Sequence, residues 1–177
     1  MPKFVALLRG INVGKAKRIP MAELRALLSA LGYTGVATLL NSGNAVFQSQ
    51  SGTPSQLATD IAAGIFARLH IQVPVVVVSA SELETIVSEN PIRVPDDEHP
   101  QVLVAFVQDS KTLSRLVSIA SLVAPPEQFS VGRNAAYLLC AAGILESKAG
   151  KALLGLSGAV TTRNWATVLK LQALVKA

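Results

Sequence analysis

Apolar and polar positions along the chain alternate between two periods, and the changes of period mark the elements. Lys3 to Arg9 is a short apolar run that predicts a buried strand. After a loop from Gly10 to Arg18, Met21, Leu24, Leu27, Leu28 and Leu31 recur at helical spacing. Pro20 falls at the first helical position and Gly32 at the cap. Val36 to Leu40 and Ala45 to Gln48 read as short strands joined by the hairpin turn Asn41-Ser42-Gly43-Asn44. Thr53-Pro54-Ser55-Gln56 is a capping box that opens a helix to about Leu69, with Leu57, Ile61, Ile65 and Leu69 on one stripe. Val73 to Val78 is a β-branched run and reads as strand. The order strand, helix, strand, strand, helix, strand is that of a split βαβ unit.

The second half repeats this order. Ser79-Ala80-Ser81-Glu82 predicts a cap and a helix to about Glu89, stopped at Asn90-Pro91. Pro91 to Pro100, rich in proline and acids, reads as a boundary. Val102 to Val107 follows as strand. Asp109 or Ser110 can cap a helix carrying Leu113, Leu116 and Val117, which Pro125-Pro126 would end. Gln128 to Val131 and Ala136 to Cys140 flank the turn Gly132-Arg133-Asn134. Ser147 to Leu156 reads as a weak helix containing Gly150 and Gly155. Ala159 to Thr161 would be a last short strand, and Thr161 or Thr162 would cap a final helix through Trp165, Val168, Leu169 and Leu171. The expected architecture is α+β: two tandem ferredoxin-like (βαββαβ) units with a linking helix and an extra C-terminal helix. Residues 1–79 form the first unit, 80–100 the linking helix and loop, and 101–177 the second unit. A cleft between the units is the expected place for a ligand.

Composition narrows this only slightly. Half of the 177 residues are hydrophobic, enough for a core, and aromatics make up 5%, so that core is mostly aliphatic. Sixteen basic residues against eleven acids give +5, which favours anionic partners without naming one. From Lys3 to Arg25 there are six basic residues and a single acid, Glu23. A lone cysteine, Cys140, cannot form an internal disulfide; its apolar surroundings predict a buried, inert thiol and a reducing compartment. No apolar run reaches a membrane span and no secretory signal is present, so a soluble cytoplasmic protein is expected.

Candidate chemistry gathers in three turns. Gly10-Ile11-Asn12-Val13-Gly14-Lys15 resembles a phosphate-binding loop but fails that pattern twice. Three residues, not four, separate the glycines, and Ala16 replaces the magnesium-binding hydroxyl. A looser nest of backbone N–H groups beside Lys15, Lys17 and Arg18 is the functional reading; a plain strand-to-helix connection is the bland one. Asn41 to Asn44 is either a tight turn or a source of hydrogen-bond donors, Ser42 and Asn44. Thr161 to Asn164 is either a capped helix start or an anion site with Arg163 as its fork. His70 and His99 lack partners at metal-ligand spacing, so no metal is expected, and no GxSxG elbow is present. Asp96-Asp97-Glu98 reads as solvated linker. Phe4, Phe47 and Phe106 lie in apolar strands and read as core rather than as base-stacking platforms.

The blocks Leu7 to Gly14, Asn41 to Phe47 and Thr161 to Val168, with Met21-Ala22-Glu23-Leu24-Arg25, resemble a widespread bacterial family catalogued as a domain of unknown function (number sixteen ninety-seven). The likeness covers essentially the whole chain and implies two ferredoxin-like units; it implies no activity, cofactor or catalytic residue. This chain departs from the pattern at Lys15, where many relatives carry a second glycine, and at Asn41, where a glutamine is usual.

Three functions follow from these readings. The first is a small-molecule site for an anionic or phosphate-containing ligand, formed by Arg9, Asn12, Ser42, Asn44, Arg163 and Asn164 with Lys15 at its rim. The second is a nucleic-acid-binding module using the basic N-terminal loop and the C-terminal helices. The third is an interaction scaffold without a ligand. Oligomeric state and cofactors are not legible.

Overall fold

In the computed structural model, residues 1–156 and 160–177 are described. Strand β1 (Lys3–Leu8) is one of the two inner strands of the first sheet. It pairs antiparallel with β3 (Asn44–Gln48), Phe4 opposite Phe47 and Leu7 opposite Asn44. On its other side it pairs antiparallel with β4 (Val75–Ser79). Strand β2 (Thr34–Leu39) adds to the outside of β3, giving the order β2-β3-β1-β4. Alternation along β1 divides its side chains. Phe4, Ala6 and Leu8 join a core with Leu24 and Leu28 of α1 (Met21–Ala30) and Ile61 and Ile65 of α2 (Pro54–Leu69). Val5 and Leu7 point to the opposite face and are buried as well, which is why β1 reads as an unbroken apolar run.

The helix ends follow their signals. Thr53 Oγ1 accepts from the Gln56 N–H, and the Gln56 side chain accepts from the Thr53 N–H, a complete capping box with Pro54 behind it. Gly32 takes φ +93° just after Leu31, the C-terminal cap residue of α1, and the Tyr33 N–H reaches back to the Leu28 carbonyl. Pro20 is one position earlier than expected: it is the cap residue, extended at ψ 141°, and the helix begins at Met21.

By its contacts the chain divides into one unit of Met1–Ser81 with Ala173–Ala177 and another of Glu82–Gln172. Helix α3 (Ala80–Glu89) follows β4 without a loop. Its later turns are tied into the second unit, where Tyr137 Oη donates to the Ile86 carbonyl over 2.6 Å and Arg133 pairs with Glu89 over 3.1 Å. The second sheet contains β5 (Val102–Val107), β6 (Gln128–Val131), β7 (Ala135–Leu139) and β8 (Val160–Asn164) in the order β6-β7-β5-β8, again antiparallel throughout. Leu103, Ala105 and Val107 face a core with Leu113 of α4 (Ser110–Arg115) and Leu153 of α5 (Lys148–Gly155). Asp109 caps α4, accepting from the Thr112 N–H. Beyond Arg115 the expected helix tightens to a 3-10 turn over Leu116–Leu122.

The final helix also starts later than expected. Thr161 and Thr162 lie in β8, Thr162 opposite Ala105, and α6 (Trp165–Lys176) is capped by Asn164, whose Oδ1 accepts from the Thr167 N–H. Ala159, the expected first residue of that strand, lies outside the described residues. No helix among the described residues is long and apolar enough to cross a membrane.

Candidate functional site

The loop after β1 is built from backbone that ordinary residues avoid. Gly10, Asn12, Gly14 and Lys17 all have positive φ, between 51° and 71°. Two of the four are glycine and one is asparagine, the residues that tolerate this region best. Asn12 buckles the loop. Its Oδ1 accepts from the Ile19 N–H, and its Nδ2 donates to the Ile19 carbonyl and, over 2.7 Å, to the Asn41 carbonyl of the hairpin. The Asn12 N–H donates to the Lys17 carbonyl, and Val13 bridges Ala16. The two loops therefore form one platform at the end of the first sheet.

The hairpin turn is equally constrained. Asn44 is fully buried, and its Nδ2 donates to the Leu39 carbonyl and to Ser42 Oγ. Gly43 at φ +94° brings its carbonyl onto the Leu8 N–H at 2.8 Å. The amide donors of Asn12 and Asn44 are thus engaged in shaping these loops.

The cations of the loop are disposed differently. Lys15 stands exposed at the tip and Lys17 at the base, and neither pairs with a carboxylate among the described residues. Arg18 directs Nη1 at the Asn12 and Gly14 carbonyls. Its other guanidinium N–H groups have no protein partner among the described residues. Arg9 is half-buried at the end of β1, its N–H on the Pro74 carbonyl. A small pocket of about 260 Å³ opens between Asn12, Arg18, Ile19, Pro20 and Asn41. Pro20 offers no side-chain cap to α1, so the first-turn N–H groups of that helix lack a side-chain acceptor at the cap position. Glu23, the acid of that first turn, pairs with Arg68 at 3.5 Å.

Arg163 and Asn164 belong to the second unit. Arg163 lies in β8 on the face turned away from the α4 and α5 core, beside Val104. It is buried, and Nη1 donates to Thr161 Oγ1 and the Thr162 carbonyl. Burial pulls its guanidinium down to about 10. Asn164 is the α6 cap described above.

Some chemistry is settled by burial. Cys140 is buried, and desolvation raises its thiol while a hydrogen bond with Ser147 works the other way. Phe4, Phe47 and Phe106 are all core residues. A larger cavity of about 1010 Å³ lies near Tyr33, Ser51, Gln56 and Asp60; of the described residues lining it, Asp60 is the only charged side chain, which disfavours an anion there. Among the described residues no group of three or more His, Cys, Asp or Glu is placed to hold a metal ion.

The sequence places Arg18 beside the expected backbone nest but not among the expected ligand residues, and Phe66 is not among the expected residues at all. Arg18 was one of three basic residues beside that nest, and the bonds that turn its Nη1 to the Asn12 and Gly14 carbonyls leave no trace in the loop's spacing. Phe66 lies next to Ile65 but off the Leu57-Ile61-Ile65 stripe, and that displacement was the available signal.

No curated protein matches the chain. One solved structure that resembles it, titled "The structure of conserved bacterial protein SP0830 from Streptococcus pneumoniae", covers 98% of both chains at 22% identity, with a TM-score of 0.79, a likeness of fold. A family model matches residues 1–137, and the chain belongs to the family described as Protein of unknown function (DUF1697).

Proposed function

We propose that the first unit binds a small anion, phosphate or a phosphate-bearing molecule, at the pocket between the residue 10–18 loop, the hairpin and the start of α1. One observation carries this reading. Arg18 lines a 260 Å³ pocket together with Pro20, the cap residue of α1, which supplies no side-chain cap. A helix start without a side-chain acceptor presents N–H donors and the positive end of its dipole, and a guanidinium adds planar charge-assisted donors. Lys15 and Lys17 strengthen the field on the same loop. Asn12 and Asn44 act here as the frame, through the hydrogen bonds that fix both loops, and Ser42 holds Asn44. Arg163 and Asn164 stand outside this reading, one buried in its strand and the other capping its helix.

We infer further that each unit is a ferredoxin-like split βαβ fold and that the chain is an internal duplication. The matching strand orders of the two sheets and their antiparallel pairing support this. The lone buried thiol of Cys140 is in keeping with a reducing, cytoplasmic location, which we propose.

The test is a titration of the intact protein with inorganic phosphate and ribose phosphate, followed by backbone amide shifts. Expected are saturable shifts confined to Gly10–Ala22 and Asn41–Gly43, weakened at least about tenfold in Arg18→Ala and by added salt. Shifts that do not saturate, or that persist unchanged in Arg18→Ala, would rule out the site.

A further inference from the structure

Beside the basic loop lies a second cavity, of about 450 Å³, and its lining differs in kind. It is lined by Lys17 of the loop, Ala62 and Phe66 of α2, and Gln72, Val73 and Pro74 of the segment leading into β4. None of the described residues lining it is a carboxylate. Phe66 leaves 49% of its surface exposed, although the stripe of α2 that packs the core passes through its neighbour Ile65. Its ring is positioned edge-on to His70, with centroids 6.5 Å apart and planes at 78°. His70 is in turn fixed as the left-handed cap of the helix, its N–H on the Phe66 carbonyl at 2.9 Å. The volume falls in the range of small-ligand sites. Lys17 and Arg18 are consecutive, so this groove and the anion pocket are walled by adjacent residues of one loop.

We propose that the ligand of the first unit is a nucleotide: its phosphate sits in the Arg18 pocket and its base lies against Phe66 in this groove. The inference rests on the anion reading above and adds the substrate class. An exposed aromatic face attracts a base by stacking regardless of sequence, and the Gln72 amide offers both a donor and an acceptor to the base edge. Lys17 lines the same cavity as Phe66, and its ammonium offers a charge to the phosphate or a donor to the sugar. A phosphate site alone needs none of the aromatic, amide and apolar lining.

The experiment compares adenosine monophosphate, ribose phosphate and inorganic phosphate on the intact chain by calorimetry and amide shifts. The wild-type protein is expected to bind adenosine monophosphate at least about tenfold more tightly than ribose phosphate, with shifts at Ala62, Phe66 and Gln72. Phe66→Ala removes that margin and leaves ribose phosphate affinity unchanged. Phe66→Leu, which keeps an apolar side chain without a ring, removes most of it too. Equal affinity for the nucleotide and ribose phosphate overturns the nucleotide assignment and leaves the anion site standing. So does a margin that survives both substitutions. A short single-stranded oligonucleotide is run beside these three probes, and binding to it alone overturns the assignment in favour of a nucleic-acid surface. Failure of all three probes removes both readings together.

Discussion

Two glycines of the candidate platform carry the same left-handed backbone for different reasons. A Cβ placed on Gly43 would lie 2.6 Å from Leu8 Cβ and 3.1 Å from Ile11 Cδ1, whereas one on Gly14 meets nothing within 4 Å. Gly14→Ala therefore adds only backbone strain, about 1 kcal/mol. Gly43→Ala adds that strain to a clash with the end of β1, together about 3 kcal/mol or more. Urea unfolding of the two variants checks the ordering; equal losses would mean that the hairpin does not press on Leu8. Arg163 gives a second prediction at this scale. Burial holds its folded value at about 10, well below the ordinary arginine range, so between the two the unfolded chain binds more protons than the folded one. The burial cost is present in full below about pH 10 and is relieved as pH rises from there. Relative to Arg163→Met, the wild-type protein should gain stability above pH 10; a constant difference from pH 8 to 11 would show that burial does not perturb the group.

Elements whose own ends carry the signal were legible; those decided by a distant partner were not. The α2 box is local, four consecutive residues supplying both hydrogen bonds, and it stands as read. Thr53→Ala should cost about 0.5–2 kcal/mol, with Thr53→Ser restoring most of it; thermal melts of the pair test this. The start of α6 is the opposite case. Thr161 was expected both as the end of a last strand and as a possible cap; pairing with β5 keeps it in β8, draws Thr162 in as well and passes the cap to Asn164. Ladder pairing with the distant β5 decided how far the strand runs, and the local pattern records its existence but not its end. The region after Asp109 shows the same limit: Leu113 and Leu116 recur at helical spacing, but the chain beyond Arg115 packs as a 3-10 turn. At the candidate site the residue types of the loop were legible and their use was not. Asn12 carries the amide expected of a ligand contact and bonds Ile19 and Asn41 instead, since a residue with positive φ at a loop crossing meets those carbonyls first. Phe66 was hidden by a helical stripe that accounts for its neighbours.

At the scale of the whole chain, the first unit is closed by residues from both ends of the sequence, Met1–Ser81 and Ala173–Ala177. The bond between them is specific. Lys3 Nζ donates to the Val175 and Ala177 carbonyls, each at 2.8 Å. These are carbonyls of the last turn of α6 and the residue beyond it, where the helix dipole is negative and few amides remain to pair them. An ammonium satisfies both needs at once. The alkyl stem of Lys3 also begins β1, opposite Gln48, so the same residue that starts an inner strand fastens the final helix. Lys3→Met keeps the stem and removes the charge. Because the bonds are partly exposed, the global loss should stay below about 1 kcal/mol. The local effect should be larger: amide exchange from Ala173 to Ala177 accelerates severalfold, while the inner strands β1 and β5 keep their protection. Lys3→Arg, which supplies donors at similar reach, should restore most of the slow exchange. If Lys3→Met leaves the last turn as protected as before, packing of the helix alone holds the C-terminus, and the ammonium is a bystander.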